Sequence, residues 1–300
     1  MRALLLLVLA AALSACAHAA AAPAPCPPPG WTREELDGLR AAEFEIAGAD
    51  ERNTFARAVA ECLASPDPHL RDRIAFEALT HMLRARQLTN ETMTALYERL
   101  LPDLTAQEGE GFRRPFAALA LSEVARADRI EPFLTQEQRN RLAAAAASYL
   151  AGVSDYRGFD EQEGWRHGVA HGADLIVQIG LNERVDRAQL EALLAAVEAQ
   201  ITPAGRFYTY GEPERLARAV LMIARRNIFT EAEWSAFFAR VTAPAPLASW
   251  EDAFNSQAGL AKRHNTMAFL ASVYLNARIS GDASLAALLP GAEAGLRGLP

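Results

Sequence analysis

Helix-start signals recur along this 300-residue chain at a near-constant interval, and that interval constrains its fold more than any other feature. Thr32 with Glu35, Thr135 with Gln138 and Thr230 with Glu233 match capping boxes. In each, a hydroxyl meets a free backbone amide while the side chain three residues on reaches back. Thr89 and Asp186 offer the same kind of acceptor at two further starts. Trp31 with Leu36, Leu88 with Met93 and Phe229 with Trp234 are spaced as hydrophobic staples. The starts at Thr89, Thr135, Asp186 and Thr230 lie 46, 51 and 44 residues apart, which suits two helices and two short connections. Apolar residues follow a helical period nearly throughout, and no convincing run alternates as a strand would. The expectation is an all-α domain over residues 31–300 with about twelve helices. Stacked antiparallel pairs in a HEAT-like α-solenoid are favoured, with an α/α toroid as the alternative closure.

The first thirty residues break this pattern. Met1-Arg2 precedes an apolar run from Ala3 to Leu13, too short to span a membrane comfortably, and Leu13-Ser14-Ala15-Cys16 resembles a bacterial lipobox. Residues 1–15 are therefore expected to be a lipoprotein signal peptide, removed so that Cys16 becomes the lipidated N-terminus. Residues 16–30, with Pro23, Pro25, Pro27, Pro28 and Pro29, read as an Ala/Pro-rich tether. The expected location is the bacterial cell envelope, lipid-anchored and facing the periplasm. Ala17 in place of aspartate after the cysteine points to the outer membrane. Ordinary cleavage after Ala17-His18-Ala19 is the alternative and would leave a soluble periplasmic protein. Cys26 and Cys62 remain as an even pair that an oxidising periplasm would allow to bridge; two free thiols are the alternative.

Composition excludes more than it assigns. With 51% apolar and 22% charged residues, the chain has the composition of an ordinary globular protein, and its formal charge of −7 argues against nucleic acid as a partner. No glycine-rich phosphate loop, Gly-x-Ser-x-Gly elbow or Cys-x-x-Cys pair is present, so nucleotide-binding, serine-hydrolase and thioredoxin-like readings lack support.

Chemistry concentrates between Gly164 and Leu175. Wound as a helix, Glu163, His167, His171, Asp174 and Gln178 share one stripe, and apolar residues from Val169 to Leu181 cover most of the rest. Gly168 and Gly172 beside the stripe predict close approach of a neighbouring backbone. Histidines four apart can direct two imidazoles at one ion with Asp174 as third ligand, so a divalent metal such as zinc is the candidate cofactor. Gly168 stands where the zinc-protease motif needs its glutamate, which leaves that chemistry unsupported. The same three residues are the catalytic candidates, with histidine as general base and Asp174 as the orienting acid. A hydrogen-bonded core network is the plainer reading.

Other candidate binding residues are Asp155 and Arg157 just before this stretch, Glu212 and Arg215 beside Tyr208 and Tyr210, and His264-Asn265. Helix capping, a local ion pair and a core histidine are the respective alternatives. His264 shares a helical face with Ala268, Ala271 and Leu275, as a core residue would.

These residues carry a resemblance. Asp155-Tyr-Arg-Gly-Phe159, Gly164-Trp-Arg-His-Gly-Val-Ala-His-Gly-Ala-Asp-Leu175, Glu212-Pro-Glu-Arg-Leu-Ala217 and His264-Asn-Thr-Met-Ala-Phe-Leu270 with Tyr274 resemble the bacterial domain-of-unknown-function family 2785, over roughly residues 155–278. The resemblance implies an all-helical domain and brings no catalytic residues with it. Two functions compete. One is an envelope lipoprotein whose helical-repeat domain binds or scaffolds a protein, peptide or envelope polymer. The other is an envelope hydrolase, metal-assisted or not, built on the His/Asp cluster. Convergence of Asp155, His167, His171, Asp174, Glu212 and His264 on one pocket would favour the enzyme; scatter would favour binding.

Overall fold

Every helix start read from the sequence is capped in the computed structural model, which describes residues 25–107 and 109–300. Thr32, Thr135 and Thr230 accept from the amides of Glu35, Gln138 and Glu233, and the reciprocal side-chain bonds close all three boxes. Asp186 with Gln189 forms a fourth box, and Thr89 caps through the Thr92 amide. Such caps contribute about 1 kcal/mol each and fix where each helix begins. The expected signal peptide, Cys16 and the first part of the expected tether lie outside the described residues.

Twelve α-helices follow among the described residues: α1 Arg33–Ala41, α2 Ala49–Val59, α3 Glu77–Arg84, α4 Asn90–Leu100, α5 Arg113–Ile130, α6 Gln136–Ala151, α7 Gly168–Gly180, α8 Arg187–Ile201, α9 Glu212–Ala224, α10 Glu231–Val241, α11 Gln257–Ser280 and α12 Leu289–Gly298. The molecule is all-α, its helices packed on one another. α7 lies between α5 and α9, and α9 against α11; α6 packs on α8, and α10 on α12. Helices two apart in sequence are thus neighbours in space. α7 is apolar nearly all round because α5, α6 and α9 enclose it. Its Gly172 does admit a close neighbour, but of a different kind from the one expected: a Cβ there would come within 3.0 Å of the Leu150 and Tyr149 side chains of α6, not of a backbone.

Among the described residues, no helix is long and apolar enough to cross a membrane. Cys26 and Cys62 form a disulfide that joins the end of the tether to the 3-10 turn Ala60–Ala64. The Trp31 ring packs on Phe55 at 4.9 Å, so the chain is docked from there onward.

Two departures from regular α-helix shape the site. Between α6 and α7 the chain forms a short antiparallel hairpin of β1 Phe159–Asp160 and β2 Gly164–Trp165. The Asp160 side chain accepts from the amides of Gln162 and Glu163 and holds the turn, while Gly164 takes φ +75°. Ahead of α3 the chain winds as a π-helix, His69–Phe76, a wide turn that is rare and often found where function is placed.

Candidate functional site: a cleft over His171

The hairpin corrects the expected stripe. α7 begins at Gly168, so Glu163 is not on it; Glu163 sits exposed in the hairpin and pairs with Arg166 at 2.8 Å. His167 precedes α7 as its cap residue in left-handed conformation, φ 54°. His171 and Asp174 do lie on the helix.

A cleft of about 570 Å³ opens between the π-helix, α5 and the hairpin, with Asp72, Phe76, Phe116, Phe159, Trp165 and His171 among its walls. His171 is 7% exposed, with its ring edge-on to Phe116 at 5.2 Å. Burial, reinforced by His167 and Arg215 and opposed by a backbone hydrogen bond at Pro115, pushes its pKa down to about 3. His167 is lowered to about 4, by burial first and then Arg215, against a backbone hydrogen bond at Tyr210. Both imidazoles are therefore neutral near pH 7. The His167 ring stacks on Trp165, with centroids 4.8 Å apart and planes at 23°. Its Nε2 lies 3.9 Å from Glu212 Oε1, beyond hydrogen-bond length.

The carboxylates turn elsewhere. Asp174 pairs with Arg215 of α9, and burial raises its pKa against the pull of Arg215 and Arg218. Glu212, at the start of α9, accepts from the Tyr210 amide at 2.9 Å; burial raises its pKa as well. Among the described residues, no three His, Cys, Asp or Glu side chains are grouped so as to hold a metal ion. His167, His171 and Asp174 are not gathered as three ligands for one ion, for a local reason: one ring is stacked on Trp165, and the carboxylate is paired with Arg215 of α9.

The remaining candidates do not line the cleft. Asp155 and Arg157 pair at 2.5 Å, and Arg157 also donates to the Glu110 carbonyl. Asn265 is fully buried; it accepts from the Tyr208 amide at 3.0 Å and donates to the Arg206 carbonyl at 2.8 Å. His264 is exposed rather than a core residue, with a ring nitrogen 3.3 Å from the Tyr208 carbonyl. The Phe207 ring, on the loop that Asn265 pins, lies 5.6 Å from the His264 ring.

The side chains that build the cleft include Arg71 and Asp72, which sequence reasoning missed. Arg71, on the π-helix, is 0% exposed. It pairs with Asp72 at 2.9 Å and donates to the carbonyls of Ser65 and Glu163 at 2.9 and 2.6 Å. Its guanidinium lies 3.9 Å from the Phe112 ring centroid, and that of Arg166 lies 4.2 Å from the same centroid. Arg71 thereby fastens the hairpin to the N-terminal helices across 92 residues of sequence. Gly164 belongs to this joint: a Cβ there would meet Arg71 Nη2 and Pro68 at 2.9 Å. Burial raises the pKa of Asp72 although Arg71 opposes it. No local signal marks Arg71, because its partners are backbone carbonyls and rings from distant segments. A second hollow, about 240 Å³ between α8 and α10, offers less, since Arg187 in its wall is already paired with Glu191 and Glu233.

A family model described as a protein of unknown function (DUF2785) matches residues 100–275. No curated protein and no solved structure matches the chain.

Proposed function

The chain belongs to the DUF2785 family, and from that footing we propose that it is an envelope lipoprotein whose helical domain binds a ligand in the cleft over His171. One observation carries the reading: an open cleft of about 570 Å³ has the His171 ring and the partly exposed Phe159 and Trp165 rings in its wall. The Cys26–Cys62 disulfide supports export to an oxidising compartment. The stacking of alternate helices supports a helical-repeat binding domain.

The hydrolase reading has the same neutral histidine in its favour. A pKa of about 3 makes that ring a weak proton acceptor at neutral pH, so binding is preferred over general-base catalysis. The scatter of Asp155 and His264 away from the cleft points the same way.

A crystallographic fragment screen on the full chain tests the reading. Fragments gathering against His171 and Trp165 are expected; fragments that bind only elsewhere would contradict it. Lipid anchoring is tested by mass spectrometry of the mature N-terminal peptide. An acylated Cys16 is expected, and an unmodified Ala20 start would rule it out.

A further inference from the structure

We infer that the occupant of this cleft is a neutral saccharide, an inference that rests on the cleft being the binding site and adds the chemistry of what fills it. Three observations lead there.

The first is a run of rings left in water. Phe159 and Trp165 lie 5.1 Å apart, Trp165 and Tyr210 6.0 Å apart, and the three are 46%, 38% and 42% exposed. Contiguous exposed aromatic surface marks a contact site. Gly158 keeps it in place: a Cβ there would come within 2.0 Å of the Tyr210 ring. A pyranose presents a face of C–H groups that lies flat on such rings with its hydroxyls directed outward.

The second is His171. Its ring forms part of the cleft wall and is neutral near pH 7, so it brings no charge that would select an ion. An uncharged occupant leaves no ion unpaired against it.

The third is charge. Asp72 is matched by Arg71, and Glu77 by Arg40 and Arg73. Glu161 at the rim adds one acid. The walls thus present carboxylate oxygens able to accept from hydroxyls, with little net field to select a cation or an anion. The volume of about 570 Å³ falls within the roughly 300–1,000 Å³ of small-molecule sites.

The test titrates the full chain with N-acetylglucosamine tetramer and maltotetraose, extends to an array of neutral glycans, and runs spermidine and inorganic phosphate beside them. Trp165→Ala and Phe159→Ala serve as paired variants, since both side chains are exposed enough to be removed without emptying the core. At least one neutral glycan is expected to bind, with affinity falling on the order of tenfold in each variant while the unfolding midpoint holds. Glycan binding that neither variant weakens would overturn the inference. So would binding of spermidine or phosphate alone; if either variant abolishes that binding, the cleft remains the site and only the saccharide assignment fails. If no probe binds and the fragment screen leaves the cleft empty, both readings fall.

Discussion

His171 is neutral because of where α7 lies, enclosed by α5, α6 and α9. Its folded pKa of about 3 is below the ordinary 6.5, so the unfolded chain binds a proton that the folded chain refuses. Its contribution to stability is therefore complete above about pH 6.5 and declines as the pH falls toward 3. Asp72, Asp174 and Glu212 have raised values and act with the opposite sign, so the informative quantity is the difference from a variant. Urea unfolding of the native chain and His171→Gln between pH 7 and pH 4 should show the native chain losing up to about 1.4 kcal/mol per pH unit relative to the variant. Parallel curves would mean that the ring is not desolvated as described. Arg71 is the second decisive residue. Arg71→Met leaves the Asp72 carboxylate without its ion pair and the carbonyls of Ser65, Pro66 and Glu163 without their donor. A loss of about 3–5 kcal/mol is expected in denaturant unfolding.

The elements divide by how far apart their determinants lie. Capping boxes were legible because each is complete within four residues: Thr32 with Glu35 needs no tertiary contact to be recognised. The hairpin was not legible, since its strands are two residues long and its geometry depends on Asp160 turning back on Gln162 and Glu163. For that reason the helical stripe was extended too early, to Glu163, when α7 begins at Gly168. The π-helix was equally hidden, because Arg71 is held by Glu163, 92 residues away. Within α7, Gly172 is a place of close approach, to the Tyr149 and Leu150 side chains rather than to the backbone its sequence suggests. Gly172→Ala would gain about 1 kcal/mol of helix propensity. Crowding against two buried side chains costs about 1–3 kcal/mol, so a net loss on the order of 1 kcal/mol is expected in thermal unfolding. A gain would show that α6 can shift to accommodate the methyl group.

At the scale of the molecule, the cleft is a joint between two parts of the chain. Its α5, hairpin and α7 walls fall inside the family match at residues 100–275, and its π-helix wall falls outside. The disulfide secures the same N-terminal side. Cys26 and Cys62 are 36 residues apart, a loop whose closure stabilises the folded state by about 3–4 kcal/mol in the chain-entropy treatment. Reduction should lower the unfolding midpoint accordingly, and an unchanged midpoint under dithiothreitol would show that the bridge carries no such stabilisation. All-α architecture was readable from periodicity and caps, and so was His171 as a residue of interest. Its companions were not, because the cleft is assembled from segments that meet only in three dimensions. The central claim, that an occupant reaches His171, is tested most directly by following the histidine ring resonances by NMR while a fragment mixture is titrated into the full chain. His171 should shift as the cleft fills, with the exposed His264 ring unmoved as an internal control; a His171 signal that stays fixed while fragments bind would contradict the account.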